Sequence, residues 1–396
     1  MTETSQLPPQ HDPDRSDGPE DGPDADTLAA ESGRSRQDVT SAPQWKLIWW
    51  RFRKHTMAMI GLWILVVLYV VALFAGFFAP FNTSSYSAEH VFQPPQIPHF
   101  SFSDGFYVHP TTGATDPETL QRVFEEDTSQ QIPLGFFVQG DEYRLLWLFD
   151  ADLHLFGPEN AGDRWYPLGA DRTGADLLSK IIYGSQISLS IGLIGVGISL
   201  VLGMLLGGIS GYFGGVVDTI IQRLIELIMS VPTLPLWLGL AAAVPPQWGS
   251  TPTYLMITVI LSLLGWTSLA RVVRGRLLQL RSEDFVMAAR FDGVRTGRII
   301  FRHMLPSFSS HIIATVSLAV PAMILAETSL SFLGLGLRAP AVSWGVLLQD
   351  AQSVSTVATT PWLILPGVAV VLAVVAFNFV GDGLRDSADP YGKRSA

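Results

Sequence analysis

Residues 57–79 form a run of 23 without a single charge. As a helix rising 1.5 Å per residue, that run is long enough to cross about 30 Å of hydrocarbon. No other feature constrains the fold as strongly, because backbone in lipid must satisfy its hydrogen bonds within the segment, which leaves helices or closed barrels. Further apolar runs follow at 186–211, 218–244, about 253–270, about 309–337 and about 361–380. Six runs of this length predict an all-α polytopic membrane protein with six transmembrane helices and both termini on one side. Pro80 ends the first run. That run exceeds a signal-peptide core and has no small-residue cleavage pattern beside it, so a retained anchor is expected.

Charge sets the orientation. Residues 271–302, between the fourth and fifth runs, carry eight arginines against three acids, and Lys46, Arg51, Arg53 and Lys54 precede the first run. Basic loops stay on the cytoplasmic side, so both termini are expected in the cytoplasm. Trp45, Trp49 and Trp50 lie among those N-terminal bases, a combination suited to the headgroup layer. Within the arginine-rich loop, 281–306 reads as two short helices joined by a turn. Ser282 can cap the first, with Glu283 and Asp284 in its first turn, and Gly293 can end it in a left-handed conformation. Thr296 can cap the second and Pro306 marks the next boundary. Phe285, Ala288 and Ala289 share one helical face.

The spacing Ala288-Ala289, Gly293, then His303-Met304-Leu305-Pro306 resembles the EAA loop of permease subunits from type I ABC importers. The string Arg298-Ile-Ile-Phe-Arg-His-Met-Leu-Pro306 is similar to the dipeptide/oligopeptide/nickel branch of that family. Met287 departs from the pattern, standing where the motif usually has glutamate. The resemblance extends over about 165–390. It implies a MetI-like permease fold and a coupling loop within 276–306, with Phe285, Ala288, Ala289, Arg290, Gly293, Arg298, Leu305 and Pro306 as the residues that meet an ATPase. It further implies half of a translocation pore, completed by a second permease subunit. Two ATPase subunits would bind ATP and Mg, an extracytoplasmic solute-binding protein would deliver a peptide, and the setting would be the inner cell membrane. The alternatives within the branch are nickel or another small solute.

The net charge of −10 is unevenly distributed. Residues 1–44 hold ten acids and three arginines, and 80–185 hold fifteen acids and five bases, so the remaining chain is net positive. The basic residues flank spans instead of forming a soluble basic face, which argues against a nucleic-acid partner. The chain has no cysteine, which removes disulfides, thiolate metal sites and cysteine nucleophiles. Residues 1–44, rich in Pro, Asp, Gly and Ser, are expected to be a disordered cytoplasmic tail. Residues 45–80 comprise the interfacial piece and first span, 81–183 an extracytoplasmic insert, 184–382 a five-helix core, and 383–396 a cytoplasmic tail. The insert is expected to contain β-structure: Phe136-Phe137-Val138 and Tyr143–Leu146 around a turn at Gln139–Glu142 read as a hairpin. Its histidines His90, His99, His109 and His154 match no metal-ligand spacing and are read as solvated loop residues, so no metal site is expected.

Asp171 and Thr173 are helix-start residues for a segment lying along the outer interface before the second span. Within that span, Gly203, Gly207 and Gly211 repeat at four-residue spacing, which permits close helix packing. Gly208-Ile209-Ser210-Gly211 also has the Gly-x-Ser-Gly form of intramembrane serine proteases, but His303 and His311 lie too early in the fifth span to serve as base, so packing is preferred. Arg223 and Glu226 pair at i, i+3, and Pro232 and Pro235 predict a kink in the third span. Glu327 is the one deep ionisable residue in the bundle: it either lines a solute path and meets a substrate amine, or has a structural role as an interhelical hydrogen bond to Ser or Thr neighbours or as a protonated carboxyl, and the structural role is favoured. A secondary transporter or channel would show inverted repeats with broken helices, and none is visible. None of the four lysines lies in a Gly-x-x-x-x-Gly-Lys loop, so ATP hydrolysis is not expected in this chain and no cofactor of its own is expected.

Overall fold

A computed structural model describes residues 44–388, except positions 104, 116, 118–121, 147, 161 and 246. The expectations for the 1–43 tail and for 389–396 fall outside the described residues. Among the described residues, five helices are long and apolar enough to span a membrane, six if one sharply bent pair counts as a single span.

Helix α1, Gln44–Phe52, precedes the first span, and its Trp49 and Trp50 are exposed. The span itself is α2, Thr56–Leu73, capped by the His55 ring, which accepts from the Ala58 amide. A one-turn helix, α3, Ala75–Phe78, extends it.

The insert follows. A four-stranded antiparallel sheet has the order β1 (His99–Ser101), β2 (Gly105–Val108), β5 (Ile132–Leu145), β6 (Phe149–Pro158). A separate hairpin pairs β3 (Thr111–Thr115) with β4 (Arg122–Glu126). Phe81, Val108, Ile132 and Trp165 form its small core. The expected turn at Gln139–Glu142 is instead a bulge inside β5: the register shifts between Gln139 and Tyr143, and β5 turns only after Leu145, where Leu146 has φ 52°. The cause is His154 on β6. Its ring lies where a side chain at residue 140 would stand, only 2.7 Å from a Cβ built on Gly140, so the strand swells around it. His154 is fully buried, contrary to the expectation of a solvated residue. Its Nδ1 lies 2.6 Å from the Ala79 carbonyl at the end of the first span, and its Nε2 3.0 Å from the Asp141 carbonyl.

The second span, α4, runs unbroken through Leu177–Phe213. No separate interfacial helix precedes it among the described residues. Asp176, not Asp171 or Thr173, is the cap: its carboxylate accepts from the amides of Leu178 and Ser179 and from the Ser179 hydroxyl. Asp171 closes a turn instead, accepting from the Thr173 and Ala175 amides. With a cap in place and no Gly or Pro break from Leu177 to Tyr183, nothing stops the first turns from joining the span.

Next come α5 (Gly215–Ser230) and α6 (Thr233–Ala242), bent by 87° at the break between them. Pro232 ends one ladder and Pro235 sits in the first turn of the next, so the expected kink is a full corner. Arg223 and Glu226 pair at 2.7 Å on the exposed side of α5. Helix α7 (Ser250–Leu280) packs along α4 through the glycine seam. A Cβ at Gly203, Gly207 or Gly211 would lie 2.9 Å from Leu269 Cδ2, 2.5 Å from the Ala270 carbonyl oxygen or 2.8 Å from the Arg274 carbonyl oxygen, so only glycine lets the backbones approach this far. After a loop with a short helix α8 (Asp284–Phe291), α9 (Ser309–Phe332) is the fifth span. Two short helices, α10 (Trp344–Gln349) and α11 (Val354–Thr359), lead to α12 (Leu365–Ala388), the last span. Residues of α2, α4, α7, α9 and α12 share one apolar core that includes Leu65, Leu189, Leu261, Ile324 and Ala373.

Candidate functional site

The arginine-rich loop folds into an elbow. Ser282 does not cap α8: its hydroxyl donates back to the Gln279 carbonyl, and Glu283 occupies the cap position without a side-chain bond. Asp284 sits in the first turn, where its charge suits the helix dipole. At the other end Gly293 adopts φ +71°; its amide donates to the Arg290 carbonyl and the Val294 amide to the Ala289 carbonyl. This is the Schellman pattern, and it favours a residue without a Cβ penalty at that position. Thr296 is the first helical residue, not a cap, because Arg295 takes the extended conformation before it. The chain then passes through a π-helical turn, Ile299–Met304, and a last turn, Leu305–Ser307. A π turn inside a helical path commonly marks a functional position.

The expected apolar face of α8 divides in two. Val286 and Ala289 turn inward and pack with the C-terminal end of α7, in a cluster with Val273, Leu277, Ile300, Met304 and Leu305. Phe285, Met287, Ala288 and Phe291 face outward, Phe291 being 84% exposed. Burial follows the i, i+3 pair 286/289, and residues 285 and 288 fall one position off it, toward solvent. Of the remaining candidates, Arg290, Gly293, Arg298 and Pro306 lie on the surface and Leu305 in the core.

Two contacts that the sequence did not signal tie this elbow to α4, and α7 to α5. Arg290 stacks over the Tyr212 ring, with its guanidinium carbon 4.8 Å from the centroid, and donates from Nε to the Tyr212 hydroxyl at 3.2 Å. Arg274, near the end of α7, makes a two-pronged bond to Asp218 of α5, Nε to Oδ1 at 2.5 Å and Nη2 to Oδ2 at 2.6 Å. The Ser210 hydroxyl donates to the same carboxylate and accepts from Gln222. Ser210 therefore joins helices, and its hydrogen bonds among the described residues run to Asp218 and Gln222, not to a histidine.

Glu327 is fully buried. Its Oε1 accepts from the hydroxyls of Ser331 and Ser343, each at 2.8 Å, and its Oε2 from Ser188 at 3.3 Å. The structure thus places it among serine hydroxyls, away from any open surface.

On the side of the bundle that carries the β insert, the loop before α4 is fastened to the α10–α12 region. Arg172 pairs with Asp350 at 3.1 Å, and Trp362 donates from its ring to the Ala170 carbonyl. Lys180 pairs with Asp171. Burial pushes the Asp350 and Asp176 carboxyls up to about 6, outweighing Arg172 at the first and the Ser179 hydrogen bonds at the second. Among the described residues, no group of three or more His, Asp or Glu is placed to hold a metal ion.

The family described as "Binding-protein-dependent transport system inner membrane component" matches residues 199–391, and the N-terminal TM domain of oligopeptide transport permease C matches 43–95. The chain is 38% identical to a dipeptide transport system permease protein DppC of Bacillus subtilis, over 59% of this chain and 71% of that one. It is 40% identical to a putative peptide permease protein of Brucella ovis, over 62% of this chain and 80% of that one. An oligopeptide transport system permease protein OppC of Bacillus subtilis is 28% identical over 87% of this chain and 89% of its own. A solved structure of the MetNI methionine ABC transporter in inward-facing conformations aligns with TM-score 0.41 and 15% identity, over 54% of this chain and 98% of that one.

Proposed function

Because the chain belongs to the binding-protein-dependent transport system inner membrane component family, we propose that it is the permease subunit of an ATP-driven peptide importer. In this reading it forms half of a translocation pore beside a second permease, within membrane lipid. Two separate ATPase subunits bind ATP and Mg and dock on the elbow, and a solute-binding protein delivers peptide to the face bearing the insert. The basic loops and N-terminal bases support placing both termini and the elbow in the cytoplasm.

The observation that carries the coupling role is the division of α8 into two faces. Val286 and Ala289 lock it into the bundle, while Phe285, Met287, Ala288 and Phe291 present apolar surface outward from a loop rich in arginine. Exposed apolar surface ringed by charge marks a docking site. Force applied there has a packed route inward: through the shared core to α7, and through Arg290 and Tyr212 to α4.

The test is reconstitution. Tagged protein extracted in mild detergent should bring ATPase subunits with it, and proteoliposomes should take up peptide only when those subunits and ATP are present. Uptake of peptide by the chain alone, driven by an ion gradient, would overturn the reading in favour of a secondary carrier.

A further inference from the structure

We propose that Glu327 is a positioning residue that pins the segment Leu337–Val346 to the bundle and makes it a fixed wall at the mouth of the permease. The argument lies in the direction of the hydrogen bonds. Each of the three serines that donates a hydroxyl proton to Glu327 also accepts a backbone amide from this segment. Ser331 accepts from Leu337 at 3.0 Å, Ser188 from Trp344 at 3.1 Å, and Ser343 from Val346 at 3.3 Å. One carboxylate thereby orients three hydroxyls, and three hydroxyls hold three amides along the segment. An acceptor with a single oxygen could not keep all three oriented in the same sense. The serines come from α4, α9 and the segment itself, so the knot joins two spans to one loop.

The surroundings suit a pin, since Glu327, Ser331, Ser343 and Ser188 are all buried. Trp344 is buried, and its ring donates to the Ile181 carbonyl at 3.0 Å. A Cβ at Gly345 would lie 2.8 Å from the Thr328 Cα, so the loop backbone rests directly on α9. The same segment supplies one side of a cavity of about 180 Å³, whose other side is the connection from α6 to α7. Ala341 belongs to the pinned wall of that cavity and is buried. Losing the shared acceptor leaves three buried hydroxyls without their partner, which is costly, so the knot opens as a unit.

The chain's lack of cysteine makes the test direct. In the assembled transporter in detergent, where sidedness does not matter, Ala341→Cys reports release of the segment through its rate of maleimide labelling. Val354→Cys, at a largely exposed site, is the control. Glu327→Ala should raise labelling at 341 at least tenfold and leave 354 unchanged, and Ser343→Ala, a milder change, should raise it several-fold. In proteoliposomes, peptide uptake should fall by the same factor for cationic, neutral and anionic peptides. Unchanged labelling at 341 in either assembled variant overturns the proposal, as does a loss of uptake confined to cationic peptides, which would make Glu327 a substrate ligand. If Glu327→Ala fails to assemble, Ser343→Ala alone decides between these outcomes. The labelling arm depends neither on the orientation nor on force passing through the elbow as proposed above, so failure here would not be confused with failure of that coupling.

Discussion

Gly207 on α4 offers a sharp test of how the bundle is held together. A Cβ there would lie 2.5 Å from the Ala270 carbonyl oxygen, against 3.4 Å at the near edge of ordinary contact. Gly207→Ala therefore requires the two helices to part by the difference, 0.9 Å, at a point where the obstacle is backbone and cannot rotate away. Inserting one methyl into a packed interface costs about 1–3 kcal/mol. The better helix propensity of alanine returns about 1 kcal/mol. Gly197 lies on the same helix with open space where its Cβ would stand, so Gly197→Ala carries only the favourable part. Thermal unfolding of the purified protein in detergent should place Gly207→Ala below the parent and Gly197→Ala at or above it. If the two variants melt together, close approach along the seam is not what joins α4 to α7, and the reasoning is refuted.

Other consequences are equally open to measurement. Gly293→Val puts a β-branched residue at φ +71°; the left-handed conformation costs about 1–2 kcal/mol for an ordinary residue, so ATPase co-purification should fall while the spans stay folded by circular dichroism. Asp350 titrates near 6 in the fold against an ordinary 3.8, its carboxyl raised by burial. Its favourable contribution is therefore complete below about pH 3.8 and is lost as pH rises through 6, and Asp176 has the same sign. The protein should thus melt higher near pH 4.5 than near pH 7.5 as far as these two groups decide it, and Asp350→Asn with Asp176→Asn should flatten that part of the profile. His154→Ala leaves the Ala79 and Asp141 carbonyls without their buried partner, at about 1–3 kcal/mol, so limited proteolysis should cut the insert faster and leave the helices intact.

Five spans were legible because hydrocarbon sets a length and disfavours charge, whereas the expected third is a helix pair bent by 87°, a corner far sharper than the kink that Pro232 and Pro235 announce. The glycine seam was legible for a related reason: spacing of four puts Gly203, Gly207 and Gly211 on one face whatever the partner. Local caps were less so. Asp171 and Asp176 are both acids at a helix approach, and the choice between them depends on which loop the chain folds back over, here one in which the Phe81 amide donates to the Ser179 hydroxyl. Ser282 fails as a cap because its hydroxyl bonds back to the Gln279 carbonyl, and Thr296 because it is itself the first helical residue, with Arg295 at the cap position. The hairpin turn was misplaced because Gln139-Gly140-Asp141-Glu142 has turn composition, yet the glycine serves to admit the His154 ring. Pairings distant in sequence, such as Arg290 with Tyr212 or Glu327 with Ser188 and Ser343, leave no mark in the sequence at all.

The most direct test of the coupling role is a crosslink. Ala288→Cys, exposed on α8 in a chain otherwise free of cysteine, should form a crosslinked product with an ATPase subunit through a short bifunctional reagent, and the yield should change between the ATP-bound and nucleotide-free states. A cysteine there that is labelled by impermeant reagents from outside intact cells, or that never joins an ATPase subunit in a transporter competent for uptake, would contradict the account.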